Sequence, residues 1–237
     1  MGEAGMSEWH RFSSRADLDQ GLAAFAAQTL AQAIESRGHG YLVVSGGSTP
    51  MGFFKELSLN SSLDWSKVTV TLADERWVAA DHADSNEALV RQNLLQNAAC
   101  SARFASLYSD DDTPEAGVAL LDAEFSALPT FDLVILGMGG DAHTASLFPN
   151  TPALIQGLDP QSPHALIAVH PATAPHARIS MTLSRLLRTQ NLVLHITGTN
   201  KAEVFEQAIA PESHATDMPI RAVALQQQTP LQVYYAD

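Results

Sequence analysis

Two hydrophobic periodicities alternate along this chain. Helical spacing runs from about Ala16 to Arg37, where Leu18, Leu22, Phe25, Thr29 and Ile34 fall on one face. Ser14 stands where an N-cap is expected, and Gly38 and Gly40 end the run. Short apolar runs follow at Tyr41–Val44, Phe131–Leu136 and Leu192–Ile196, the pattern of strands buried on both faces of a parallel sheet, and Ala165–Val169 and Leu231–Tyr235 read as further strands. Val68–Leu72 alternates with threonine and reads as a further strand, and Trp9–Phe12 as a short edge strand. Helices are expected between them: Met51–Leu57 behind Pro50, Asn86–Gln96 behind Ser85, Pro114–Ala127, a turn through Leu183, Leu186 and Leu187, Lys201–Ala210, and Ala222–Leu225. Strands alternating with helices predict an α/β fold, a doubly wound and largely parallel sheet flanked by helices. Residues 9–237 are read as a single domain and residues 1–8 as a disordered start.

Composition narrows the function. Of 237 residues 46% are hydrophobic, enough for a sizeable core, while the formal net charge of −13 argues against a nucleic-acid or anionic-membrane partner. One cysteine, Cys100, excludes an intramolecular disulfide and any cysteine-based zinc cluster. No apolar run reaches membrane-spanning length and no signal-peptide core opens the chain, so a cytoplasmic protein is expected.

The candidate chemistry lies where predicted strands stop. The run ending at Leu136 meets three glycines in four positions, Gly137, Gly139 and Gly140, and then Asp141, His143, Thr144 and Ser146. Ligands of open parallel sheets bind beyond the strands' carboxyl ends. An acid and an imidazole there read as a catalytic centre, His143 as general base; the alternative is a helix-capping histidine and an Asx-turn aspartate. Ser45-Gly46-Gly47-Ser48-Thr49-Pro50 offers backbone N–H groups and a helix N-terminus to a phosphate, without being a Walker loop or a dinucleotide fingerprint. Asp74-Glu75-Arg76-Trp77-Val78 is a charged loop after another strand. With only 13 basic residues in the chain, Arg76, Arg178 and Lys201 at strand or loop ends suggest, with Gly46, Gly47 and Ser48, a phosphomonoester site. Asp110, Asp111 and Asp112 read as a solvated loop rather than a metal site. No Gly-x-Ser-x-Gly elbow occurs, so Ser146 reads as a hydrogen-bonding helix residue rather than a nucleophile.

The segments 45–50, 74–78 and 137–149, with Arg178-Ile-Ser-Met-Thr and Gly198-Thr-Asn-Lys201, closely resemble the 6-phosphogluconolactonase family, in order and over nearly the whole chain from Trp9. The resemblance implies a Rossmann-like fold and hydrolysis of 6-phospho-D-glucono-1,5-lactone to 6-phosphogluconate, in the oxidative pentose phosphate pathway. It implies His143 as base and no metal or other cofactor. Asp141 would orient the imidazole or sit on a sugar hydroxyl, and Asp74 would lie in the substrate site. The partner would be a small sugar-phosphate lactone, the chain a monomer or weak homo-oligomer. Gly140 stands where the family frequently has proline, and Ala142 where it has glycine. The superfamily includes glucosamine-6-phosphate deaminases, in which a glutamate follows the histidine by five positions; here that position is Phe148. A sugar-phosphate-binding regulator on the same fold would carry a DNA-binding segment, for which this acidic chain has no additional helix-turn-helix.

Overall fold

The computed structural model describes residues 7–237. Ten strands form: β1 (Glu8–Arg11), β2 (Gly40–Val44), β3 (Val68–Leu72), β4 (Asp74–Arg76), β5 (Arg103–Ala105), β6 (Leu133–Leu136), β7 (Leu166–Val169), β8 (Arg178–Met181), β9 (Leu192–Thr197) and β10 (Leu231–Ala236). Among the described residues eight α-helices lie between them: α1 (Arg15–Arg37), α2 (Met51–Ser58), α3 (Asn86–Asn93), α4 (Pro114–Ala127), α5 (Leu154–Gly157), α6 (Leu183–Leu186), α7 (Thr199–Ile209) and α8 (Ile220–Leu225). Seven strands make one parallel sheet in the order β1–β10–β9–β6–β2–β3–β5. The predicted α/β, Rossmann-like sheet flanked by helices is present. Of the expected disordered start, residues 1–6 lie outside the described residues, and Glu8 already opens β1.

The central strands are buried as their unbroken apolar runs require. Leu133, Val134, Ile135 and Leu136 of β6 and Leu192, Val193 and Leu194 of β9 are all at or below 2% exposure. Helix α1 begins at Ser14, whose side chain accepts from the Asp17 N–H, and ends at Gly38, whose φ of 77° lets its N–H cap Ile34. Its buried stripe is Leu18, Leu22, Ala26, Leu30 and Ala33, with Phe25 and Ile34 only half-buried. Alanine lets the helix lie close to the sheet, so the buried face is turned away from the one the larger residues mark.

The main departure from the sequence reading is a second sheet. Strands β4, β8 and β7 pair antiparallel, in that order. Asp74–Arg76, expected as loop, is a strand in it, as is Arg178–Met181, expected as the lead into a helix. Ala165–Val169, expected in the parallel sheet, supplies the third strand. Three- and four-residue strands carry too little periodicity to announce their partners. A small separate core of Leu147, Phe148, Leu154, Ile167 and Val169 supports this sheet. Strand β5 went unpredicted for the same reason, and α3 stops at Asn93 rather than Gln96. Among the described residues no helix is long and apolar enough to cross a membrane.

Candidate active site

Four chain segments converge beyond the carboxyl ends of β2, β3, β6 and β9, as their parallel order requires. With Arg178 of β8 they enclose a cavity of about 300 Å³. Gly46, Gly47, Ser48, Asp74, Arg76, His143, Arg178 and Lys201 all line it, and Asp141 contacts it through His143. The structure thus brings the residues expected to bind substrate, together with His143, to one cleft, with Asp141 against it.

The His143 side is built within one stretch of chain, Gly137 to Phe148. The Asp141 carboxylate accepts from the His143 backbone N–H at 3.2 Å and holds the ring Nδ1 at 2.5 Å. A carboxylate there places the proton on Nδ1 and leaves the Nε2 lone pair free. Burial pushes the Asp141 carboxyl up, but the hydrogen bond and charge of His143 outweigh it and hold the acid below its ordinary value. Phe148 stacks on the imidazole, centroids 4.2 Å apart. A Cβ added at Gly139 would lie 2.1 Å from His143 Nδ1, so only glycine admits the ring here. No helix follows this loop directly, so His143 caps none, and Ser146 is a loop residue rather than the helical one expected. The chain instead reverses through Ala142 (φ 63°) and Ala145 (φ 47°). Ala142 takes a left-handed conformation that suits glycine, while Gly140 has open space around it. The Gly139 N–H to His143 carbonyl bond (2.8 Å) and the Thr144 Oγ1 to Gly137 carbonyl bond (2.8 Å) hold the reversal.

The opposite side comes from distant segments. Arg76 and Arg178 are directly opposed across the β4–β8 pair, an unfavourable like-charge pairing. Asp74 offsets it in part: its Oδ2 lies 3.9 Å from Arg178 Nη1 and accepts from Ser146 Oγ at 2.5 Å. Burial lowers the Arg178 pKa, Asp74 raises it and Arg76 lowers it further. Arg178 also lies over the other part of the Phe148 environment, 5.3 Å from its ring centroid. Arg76 donates to the Asp84 carbonyl at 2.6 Å. Lys201, in the first turn of α7, donates to the Met138 carbonyl at 2.5 Å; burial lowers its pKa and Asp141 raises it. The glycine turn completes the rim, with Gly47 at φ 91°.

Several positioning residues escaped sequence reading. Buried Glu75 accepts from the backbone N–H groups of Arg76, Asn86 and Glu87 and from Ser85 Oγ, at 2.6–3.0 Å, so it caps the N-terminus of α3 and fixes β4. Burial pushes its carboxyl up against the pull of those bonds. Asn86 donates to the Asp74 carbonyl at 2.9 Å and occupies the space a Cβ at Gly46 would need. An acid ten residues before an N-cap serine was the available signal. His195 also lines the cavity and carried no motif signal at all. Five buried side-chain nitrogens among the described residues lack a partner; three of them, Arg76 Nε, Arg178 Nε and His195 Nε2, belong to residues of this one cavity. No group of three or more metal-ligating side chains occurs among the described residues.

A parallel sheet with a cation-lined cleft beyond its strand ends defines the class: a Rossmann-like α/β protein with its ligand site at the carboxyl edge. Comparison with known proteins makes this specific. The chain belongs to the glucosamine-6-phosphate isomerases/6-phosphogluconolactonase family, whose model matches residues 13–232. It is 45% identical to a 6-phosphogluconolactonase of Rhizobium meliloti (strain 1021), covering 96% of this chain and 97% of that one. A crystal structure of a 6-phosphogluconolactonase from Shewanella baltica OS155 superposes with a TM-score of 0.94 at 42% identity, covering 100% of both chains. A monomeric glucosamine-6-phosphate deaminase shares the fold, with a TM-score of 0.78 at 18% identity over 97% of this chain and 98% of that one.

Proposed function

We propose that the chain hydrolyses 6-phospho-D-glucono-1,5-lactone to 6-phosphogluconate, in the oxidative pentose phosphate pathway. The observation that carries this is one cavity holding both a carboxylate-paired imidazole and an opposed arginine pair, in a chain of net charge −13. The buried guanidinium of Arg178 and the half-buried one of Arg76, directly opposed across the β4–β8 pair, call for a shared anion, and a phosphate satisfies both. The chain is a lactone hydrolase in this reading, cytoplasmic, acting on a small molecule as a monomer or weak homo-oligomer. Arg76, Arg178, Lys201 and the Gly46-Gly47-Ser48 turn hold the phosphate, and Asp74 keeps Arg178 in place.

Chemistry then falls to His143. Its Nε2 takes a proton from water as the water oxygen attacks the lactone carbonyl, and Asp141 stabilises the imidazolium that forms. Collapse of the tetrahedral intermediate breaks the bond between the carbonyl carbon and the ring oxygen. The imidazolium returns its proton to that oxygen, leaving the acid and a free hydroxyl. An activated ester needs little more than a base, worth roughly 10²–10⁴-fold, and positioning. No step asks for a metal. The deaminase reading is disfavoured because the apolar ring of Phe148 lies against His143 where that chemistry would place a second acid.

The test is hydrolysis of freshly made phosphorylated lactone against its spontaneous rate, before and after chelator treatment. Acceleration that survives chelation is expected, with a much lower kcat/KM on unphosphorylated gluconolactone. A rate equal to the spontaneous one would sink the proposal.

A further inference from the structure

His195 is a polar side chain in an apolar place. It lies on β9 among Leu194 and Ile196, is 3% exposed, and meets Phe53 edge-on at 6.2 Å between ring centroids. Its Nε2 is sealed from solvent and has no hydrogen-bond partner. A buried unpaired donor or acceptor costs a protein on the order of a tenfold or larger shift in its folding equilibrium. A leucine would fill the position without that cost. Burial keeps the ring neutral by drawing its pKa down to about 4, so it is not a second base competing with His143 near neutral pH.

Its place in the fold indicates what it is for. It stands one residue beyond the last β6–β9 pairing, Leu136 with Leu194, where β6 gives way to the glycine loop. Phe53, its ring neighbour, follows the Gly46-Gly47-Ser48 turn on α2, and β9 itself runs on through Gly198 into the α7 turn that carries Lys201. His195 therefore sits under the junction of two proposed phosphate-holding segments and lines the same cavity as they do. We propose that the His195 imidazole is a further anchor for the phosphoryl group, an uncharged hydrogen-bond donor at the inner end of the cleft. This rests on the phosphate-binding reading above and adds to it a contact from the floor of the sheet. It also gives a use to the buried nitrogen of this ring that the protein itself leaves without a partner.

Inorganic phosphate is the probe, titrated calorimetrically into the full chain and into His195→Leu and His195→Gln. His195→Leu should bind phosphate about tenfold more weakly and raise KM for the phosphorylated lactone by the same factor. Its loss on unphosphorylated gluconolactone should be much smaller than its loss on the phosphorylated lactone. Its melting temperature without ligand should be equal or higher, and His195→Gln should regain part of the affinity. In wild-type protein labelled with ¹⁵N-histidine, the His195 ring nitrogens should shift on adding phosphate, a readout that needs no variant to fold. Phosphate binding by wild type that His195→Leu retains in full, or that leaves the His195 nitrogens unmoved, overturns the proposal alone. Wild-type protein that binds no phosphate overturns the parent reading and this one with it.

Discussion

On the His143 side of the cleft the ring is already held before any ligand arrives. Asp141 fixes one nitrogen at 2.5 Å, Phe148 covers one face, and Gly139 leaves room for nothing else. On the arginine side the hold is only partial, although Arg76 donates to the Asp84 carbonyl. Arg76 and Arg178 face each other with buried Nε atoms unpaired, and Asp74 reaches Arg178 only at 3.9 Å. The contrast separates two tasks. Reacting groups gain from being oriented in advance, because no reorganisation then accompanies the proton transfer. Binding groups gain from being left unsatisfied, because the ligand then relieves a cost that the free protein carries.

The largest effect should follow from breaking the oriented side. His143→Ala should lower kcat by about 10²–10⁴-fold while leaving inorganic phosphate affinity within about twofold of wild type. Loss of both would mean the two sides are one unit. On the other side, Lys201→Met keeps the apolar stem and removes the charge. It should raise KM for phosphorylated lactone by about tenfold or more and leave unphosphorylated lactone unaffected; equal losses on both substrates would count against a phosphate role.

The pH dependence of stability probes the floor between them. Histidine titrates near 6.5 when unfolded, whereas burial holds His195 at about 4. Between those values the unfolded chain binds more protons. Stability from this group is therefore full above about pH 6.5 and is lost as pH falls toward 4, by at most about 3 kcal/mol. Denaturation of wild type and His195→Leu across that window should show a shallower acid loss in the variant.

The smallest effect belongs to the loop that carries the base. Ala142→Gly relieves left-handed strain of about 1–2 kcal/mol. It forfeits about 0.8 kcal/mol of methyl burial and about 0.4–1 kcal/mol through a freer unfolded chain. The terms nearly cancel, so the variant's stability should lie within about 1 kcal/mol of wild type. A larger change in either direction would show that the alanine shapes the loop.

What could be read in the sequence divides along the same line as the cleft. Asp141, His143 and the glycines before them are neighbours in the chain, at the end of a strand whose apolar run is unmistakable, so position and chemistry were legible together. Arg76 and Arg178 were legible as cations near strand ends. Their opposition was not, because it depends on β4 and β8, strands of three and four residues that pair across a hundred positions. Glu75 looked like one more charge in an acidic chain, although it organises the start of α3. Phe148 shows in the sequence as the residue standing where the resemblance puts a deaminase's glutamate, but its stacking on His143 depends on the fold. His195 looked like an ordinary member of a buried strand. Local chemistry shows in sequence; chemistry assembled by non-local pairing does not.

The central claim is that water is activated by the neutral imidazole of His143 while phosphate is held elsewhere. The most direct measurement is the pH profile of kcat/KM on phosphorylated lactone, corrected for spontaneous hydrolysis, for wild type and His143→Asn, with phosphate affinity measured on both. Wild type should lose activity along a single acid limb as its imidazole takes up a proton. His143→Asn should lose the activity and the limb together and still bind phosphate. A folded His143→Asn protein that keeps near-normal activity with the same acid limb would contradict the claim.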